Sequence, residues 1–444
     1  MPSQVAEQRT GQRRWAMNTP CGRRRFSLLA IWLFALLFIG WAPVDGFAPS
    51  AHAGMPLDLE RELSLLRDGQ VKIHISGARY RYAVFTFEDP DQTGLGNALA
   101  TILSHDLLVN GKVSSLGVLR YLGDLAKSSD EKLLRYFEKV EPLIESQGVQ
   151  VAVWGVIRRT EGGVRIDSYV QLSPAVMQKT FSFTFRPREM GGAPLVHRVG
   201  PDRLLAQRRS FTDSEAQSLL RVAENLDRLR TAPRDNAPVA STLPLGTVHY
   251  LVQRQGDWVK VAIQGGKSGW LRTKGFCADV CAPLLDVSRF ATELMAYDEH
   301  EYRIPARSPS LTDDAKVFID QLIAMDALNR ASPISAEQEA LAILKPWYDP
   351  QSGVPSPGGG ATCNLRALVQ IVGPSKKAAA LGDNRPLERE RIGAIASQLA
   401  RDSLADPRHV PTLSNLSVLF GWLGDIERAS LASQLAQSAR QNSP

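Results

Sequence analysis

The side chains able to do covalent or metal chemistry are few and far apart. Of the four cysteines, Cys21 falls in the N-terminal segment, which leaves Cys277, Cys281 and Cys363. Cys277 and Cys281 are close enough to pair locally in an oxidising compartment, with Cys363 then buried or free. Zinc is the alternative for that pair, but a structural site takes four ligands and no histidine stands near either cysteine. The seven histidines are dispersed along the chain, none in a zinc-protease helix motif, and no Gly-x-Ser-x-Gly elbow occurs. Gly94 and Gly96 are too few for a dinucleotide fingerprint, and no Lys-Ser or Lys-Thr follows them as a nucleotide loop requires. One nucleophilic pairing is left. Cys363 opens an expected helix after a glycine-rich turn, and His409 lies downstream as a base. Its flanking Thr362 and Asn364 and the loop-like setting of His409 favour a structural cysteine. The chain therefore reads as non-enzymatic, with no cofactor and no metal.

The N-terminal residues say where such a chain would work. Arg13, Arg14 and Arg23-Arg24-Arg25 precede an uncharged run from Leu28 to Val44, and Ala51-His52-Ala53 follows. Basic start, apolar middle and small-x-small end are the parts of a secretory signal peptide, with cleavage expected after Ala53. The rival is an uncleaved signal anchor, since the apolar run is near the lower length for a spanning helix. RRRFSLL also resembles a twin-arginine signal, but the strongly apolar run suits the general secretory route. The expected location is periplasmic or secreted. Residues 1–53 hold six Arg, one Glu and one Asp, so the whole-chain charge of +6 less their +4 leaves +2. A nearly neutral mature chain offers no footprint for nucleic acid. No later stretch approaches a membrane span.

Behind these residues the composition is globular, with length for two to four domains. The expected fold class is multidomain α+β. Residues 54–189 form an α/β domain, 190–222 a linker with a helix, 223–285 a small barrel and 286–444 a helical region. In the first, Arg81–Glu88 reads as a strand and Leu95–Val109 as a helix. A short strand follows near Val113–Leu119, then an amphipathic helix over Asp130–Gln147. Val149–Ile157, Val164–Leu172 and Lys179–Phe185 read as further strands, the first two joined by a Gly-Gly turn. The opening AVFTFED, the helix after a Gly-containing loop and VQVAVWGVI resemble the N-terminal domain of the periplasmic TolB family and related envelope-assembly domains. In the linker, Thr212-x-x-Glu215 has the spacing of a capping box.

Residues 228–274 carry five short strands with glycines at the corners, the pattern of a small closed barrel. Leu229-Arg230, Pro233, Asn236 and Pro238-Val239 are followed by Leu243, Gly246 and Gly256-x-Trp258-x-x-Val261, and the series ends at Gly269-Trp270-Leu271. In order and spacing these resemble the bacterial Src-homology-three domain. The resemblance implies recognition of extended peptides across an aromatic groove, or attachment to the cell wall. Tyr250, Trp258, Trp270 and Asn236 are the ligand-binding candidates, with barrel core as the alternative role for either tryptophan. The possible disulfide Cys277–Cys281 would clip the exit from the barrel.

Beyond Asp286 the periodicity is helical, with Asp313 and Ser335 as expected caps and Pro350–Thr362 as a flexible connector in which Gly358–Gly360 are linker. Leu413, Leu416, Phe420, Gly424-Asp425, Ile426, Ala429 and Ala436 resemble one tetratricopeptide repeat. Taken together, these point to a binding or scaffold protein of the bacterial cell envelope with envelope proteins or peptidoglycan as partners. A Cys363-dependent cell-wall hydrolase, or a regulator of one, is the alternative. The Asp-Cys-Ser context of such hydrolases is absent.

Overall fold

The computed structural model describes residues 6–9, 78, 80–110, 116–121, 148–187, 191, 193–226, 228–243, 248–263, 267–277, 280–297, 304–330, 332–348, 358–383 and 388–441. The apolar run Leu28–Val44, the Ala51–Ala53 site, the expected helix over Asp130–Gln147 and Gly246 lie outside them. Among the described residues no helix is long and apolar enough to cross a membrane.

Alternating and β-branched runs become strands in chain order. Ala6–Arg9 (β1) is followed by Tyr80–Phe85 (β2), the helix Leu95–Asn110 (α1) and Leu116–Tyr121 (β3). Val151–Thr160 (β4) and Gly163–Leu172 (β5) form a hairpin, and Pro174–Thr180 (α2), Ser182–Arg186 (β6), Leu195–Arg198 (β7) and Arg203–Thr212 (β8) come next. β2 pairs parallel with β3 and β4, α1 making the crossover between β2 and β3, while β4–β5 and β5–β8 are antiparallel. β1, β6 and β7 make a separate three-stranded sheet.

Two readings of this region are corrected. The strand expected over Lys179–Phe185 starts three residues later, because Ser173 Oγ accepts Val176 N–H at 3.3 Å and Pro174 occupies the first helical turn, so α2 runs through Thr180. The stretch 190–222, read as a linker with a helix, contains β7 and β8 as well as that helix, Asp213–Leu226 (α3). β8 was hidden by its arginines, and long-range contacts hold it: Arg208 grips Asp167 of β5 through Nε and Nη2 at 2.9 and 3.2 Å. The start of α3 follows the sequence. Glu215 N–H donates to Thr212 Oγ1 at 3.3 Å, and Thr212 N–H donates to Glu215 Oε2 at 2.8 Å, a reciprocal capping box.

The barrel strands are Arg228–Arg230 (β9), Val239–Thr242 (β10), Val248–Gln255 (β11), Trp258–Ile263 (β12) and Ser268–Arg272 (β13). Leu229, Leu243, Val248, Val259, Val261 and Leu271 point inward and are buried. The barrel is not a separate bead. Val248, His249 and Tyr250 of β11 pair antiparallel with Leu119, Val118 and Gly117 of β3, giving one ten-stranded sheet in the order β10-β9-β13-β12-β11-β3-β2-β4-β5-β8. α1 lies across β2, β3 and β4 and reaches β11 and β12 of the barrel, and α3 packs beside it.

The remaining chain is helical: Leu285–Tyr297 (α4), Asp313–Arg330 (α5), Ala336–Leu344 (α6), Gly359–Ala380 (α7), Arg389–Asp402 (α8), Val410–Leu423 (α9) and Ile426–Gln441 (α10). The capping of α5 is corrected by one residue: Thr312 Oγ1, not Asp313, accepts Ala315 N–H at 3.3 Å. Ser335 precedes α6 without a side-chain capping bond. Gly358–Gly360 are not linker. Gly359 and Gly360 begin α7, where Gly360 N–H donates to Asp406 Oδ2 at 3.2 Å and the residue is buried against His409. The helices share the core of the sheets, since one apolar cluster runs from Tyr80 through Leu229, Val261 and Leu271 to Phe318, Leu365 and Phe420.

Candidate functional site

Strand alternation divides β12 between two environments. Val259, Val261 and Ile263 fill the barrel, while Trp258 and Lys260 face outward. On β13, Gly269 and Leu271 point inward and Trp270 outward. The register places Trp258 opposite Arg272 and Trp270 opposite Lys260, so the two tryptophans are diagonal neighbours on one face. Such a pair sits roughly 7–8 Å apart, within reach of an indole. Both are half-buried. Gly269 makes the crossing with β9 possible, since a Cβ there would lie 2.7 Å from Leu229 Cβ and 3.0 Å from the Arg230 carbonyl oxygen.

The tryptophans open onto a cleft of about 490 Å³ walled partly by β9 and β13 of the barrel and partly by elements outside it. α3 contributes Arg221, Val222 and Leu226, α1 contributes His105, and Phe276 closes the end after β13. The His105 ring lies 4.5 Å from the Phe276 ring, centroid to centroid, and its Nε2 is 3.2 Å from the Arg272 carbonyl. Cys277, next to Phe276, is bonded to Cys281, and Cys281 is fully buried. The bridge anchors the barrel exit to the core on which α4 begins.

Charge in the cleft is uneven. Among the described residues Arg221, Arg228, Arg230 and Arg272 line it with one carboxylate, Asp235. Arg272 Nη1 donates to Asp235 Oδ1 at 3.2 Å, and Arg230 Nη1 donates to the Ala237 carbonyl at 2.8 Å. Arg221 Nε reaches only the Gln217 carbonyl at 3.4 Å, and neither Arg221 nor Arg228 has an acidic partner among the described residues.

Of the four sequence candidates, Trp258 and Trp270 come together here. Tyr250 does not; it sits in the seam where β11 meets β3, opposite Gly117. Asn236 is exposed on the β9–β10 turn, and its neighbour Asp235 is the residue that reaches the cleft. Arg221, His105 and Phe276 carried no local signal, because they join the site only through the packing of α1 and α3 on the barrel.

A second polar assembly lies where β7 meets α7 and α9. Asn415 Nδ2 donates to the Val196 carbonyl and to Asn364 Oδ1, both at 2.7 Å, and its Oδ1 accepts Val196 N–H at 2.7 Å. Asn364 Nδ2 donates to the same carbonyl at 2.9 Å. His197 is wholly buried, and burial, reinforced by His409, takes its pKa down to about 3. Burial lowers His409 to about 4, against the opposing pull of Asp406. Its Nδ1 pairs with Thr412 Oγ1 at 2.6 Å. No hydrogen bond joins His409 to Cys363 among the described residues. Burial, with Asp402 adding to it, pushes the Cys363 thiol up to about 12. An attacking thiolate needs the reverse shift.

The fold and site together define a small β-barrel that presents an aromatic strip to solvent from within a larger α/β sheet. Residues 224–274 match the family model of the bacterial SH3 domain. That match suggests a cell-wall or protein binding role. A search of curated proteins returned no match, and neither did a search of solved structures.

Proposed function

We propose that this chain is a non-catalytic binding and scaffold protein of the bacterial cell envelope, exported into the periplasm or beyond by a leader whose cleavage after Ala53 removes β1 and leaves β6 and β7 as a pair. The barrel recognises a protein or peptidoglycan ligand. The sheet domain before it is akin to the TolB N-terminal domain, and the last helices, akin to a tetratricopeptide repeat, hold further partners. The observation that carries this reading is the outward placement of Trp258 and Trp270 on one face of the bacterial SH3 barrel, at the mouth of a cleft. Aromatic strips of this kind bind extended chains because flat rings give large contact area at little entropic cost.

The test is retention of envelope proteins and of purified peptidoglycan by the exported chain, compared with Trp258→Ala after circular dichroism has shown the variant folded. Loss of retention supports recognition on the barrel; unchanged retention removes Trp258 from it. Cys363→Ala is expected to leave partner retention intact. Turnover of peptidoglycan that disappears in that variant would establish the hydrolase reading instead.

A further inference from the structure

We infer that the cleft between the barrel and α3 takes an acidic peptide, an extended segment that lays an apolar side chain on Trp258 and Trp270 and sets a carboxylate against Arg221 and Arg228. This rests on the reading of the barrel as the recognition module and adds the chemistry of its ligand. The cleft, about 490 Å³, is within the size range of ligand sites, roughly 300–1,000 Å³. Among the described residues its four guanidinium groups face one carboxylate, which Arg272 already engages. Each guanidinium offers five donors in a planar fork that matches a carboxylate. Arg221 and Arg228 are exposed and have no acidic partner among the described residues, so those forks are open toward the cleft.

The excess is local. Outside residues 1–53 the chain carries only +2, from +6 less +4, so four arginines among the described residues of one cleft do not reflect a basic protein. An extended polyanion would need a longer basic stripe. Here the positive groups ring a pair of half-buried indoles, and that combination suits an apolar side chain next to a negative one. The arrangement also differs from that of an isolated barrel, because Arg221 comes from α3 and the ligand would touch both elements at once.

The experiment measures fluorescence anisotropy of a labelled peptide alternating Glu with Leu, and of its counterpart with Gln in place of Glu, on the full chain. The Glu peptide is expected to bind at least about tenfold more tightly, with the advantage shrinking as sodium chloride rises from about 0.05 to about 0.5 M, where the Debye length is short. Combined Arg221→Gln and Arg228→Gln should abolish the Glu preference, whereas Trp258→Ala should weaken both peptides alike. Both arginines are exposed, and circular dichroism confirms that the variant is folded. Equal binding of the two peptides, binding of neither, or stronger competition by a single-stranded oligonucleotide than by the Glu peptide overturns the inference. The barrel reading fails separately. If Trp258→Ala loses envelope partners while the double arginine variant keeps them, the barrel binds but its ligand is not acidic. If the Glu preference stands and Trp258→Ala keeps every partner, the acidic cleft is real but is not the scaffold's recognition site.

Discussion

Asn415→Ala should cost far more than a change on α9 would suggest from its sequence position. The side chain is almost wholly buried and makes three bonds at 2.7 Å, two to the backbone of Val196 and one to Asn364. Removing it leaves two polar atoms without those partners, Val196 N–H and Asn364 Oδ1, while the Val196 carbonyl keeps Asn364 Nδ2. Each buried group left unsatisfied costs about 1–3 kcal/mol, so the expected loss is about 2–6 kcal/mol. Urea unfolding followed by circular dichroism reads it as a shift of midpoint at constant slope. Because the bonds tie β7 to the helices, trypsin should also release the region beyond α7 sooner. A loss within about 0.5 kcal/mol, the range of ordinary surface changes, would refute the claim that these amides dock the helical region onto the sheets.

Other outcomes follow from the same structure. His197 and His409 are held neutral with pKa values of about 3 and about 4 against an ordinary 6.5, so the unfolded chain binds more protons below pH 6.5. Stability should be full above that pH and fall as it drops, by about 2 kcal/mol per histidine at pH 5; urea midpoints at pH 7 and pH 5 check this, and His197→Gln should flatten the slope. Mass spectrometry after alkylation should find Cys277 and Cys281 protected and Cys363 modified only on unfolding. Replacing the bridged pair with serines should cost about 2 kcal/mol, the value for so short a loop. Gly269→Ala must push β9 and β13 apart and should destabilise the chain by about 1–3 kcal/mol, an overpacking cost read in the same urea assay.

What could be read from sequence was local. The capping box at Thr212 and Glu215, the β4–β5 hairpin at its glycine turn, the alternating barrel strands and the periodicity of α5, α9 and α10 depend on neighbours within a few residues. β8 was missed because its arginines masked alternation, and Asp167, which holds Arg208, lies 41 positions away. Gly358–Gly360 resembled a linker because glycine serves both flexible chain and close approach; only the nearby Asp406 and His409 show which. The cleft was half legible. Strand period turns Trp258 and Trp270 outward and the β12–β13 register brings them to one face, but Arg221 and His105 reach it through tertiary packing, which leaves no trace in spacing.

The seam between β11 and β3 bears on how this barrel can be handled. Cutting the chain at the ends of the matched segment would strip three paired residues from each side of that seam and bare a strand edge on both fragments. Open edges recruit one another, so the excised barrel should aggregate or form strand-exchanged dimers where the whole protein does not. Grafting it as a portable binding tag would therefore require a charged or proline-bearing replacement for Val248–Tyr250. The same seam couples the barrel to the rest of the intact protein: a load applied to β12 passes through β11 into β3 by direct strand pairing.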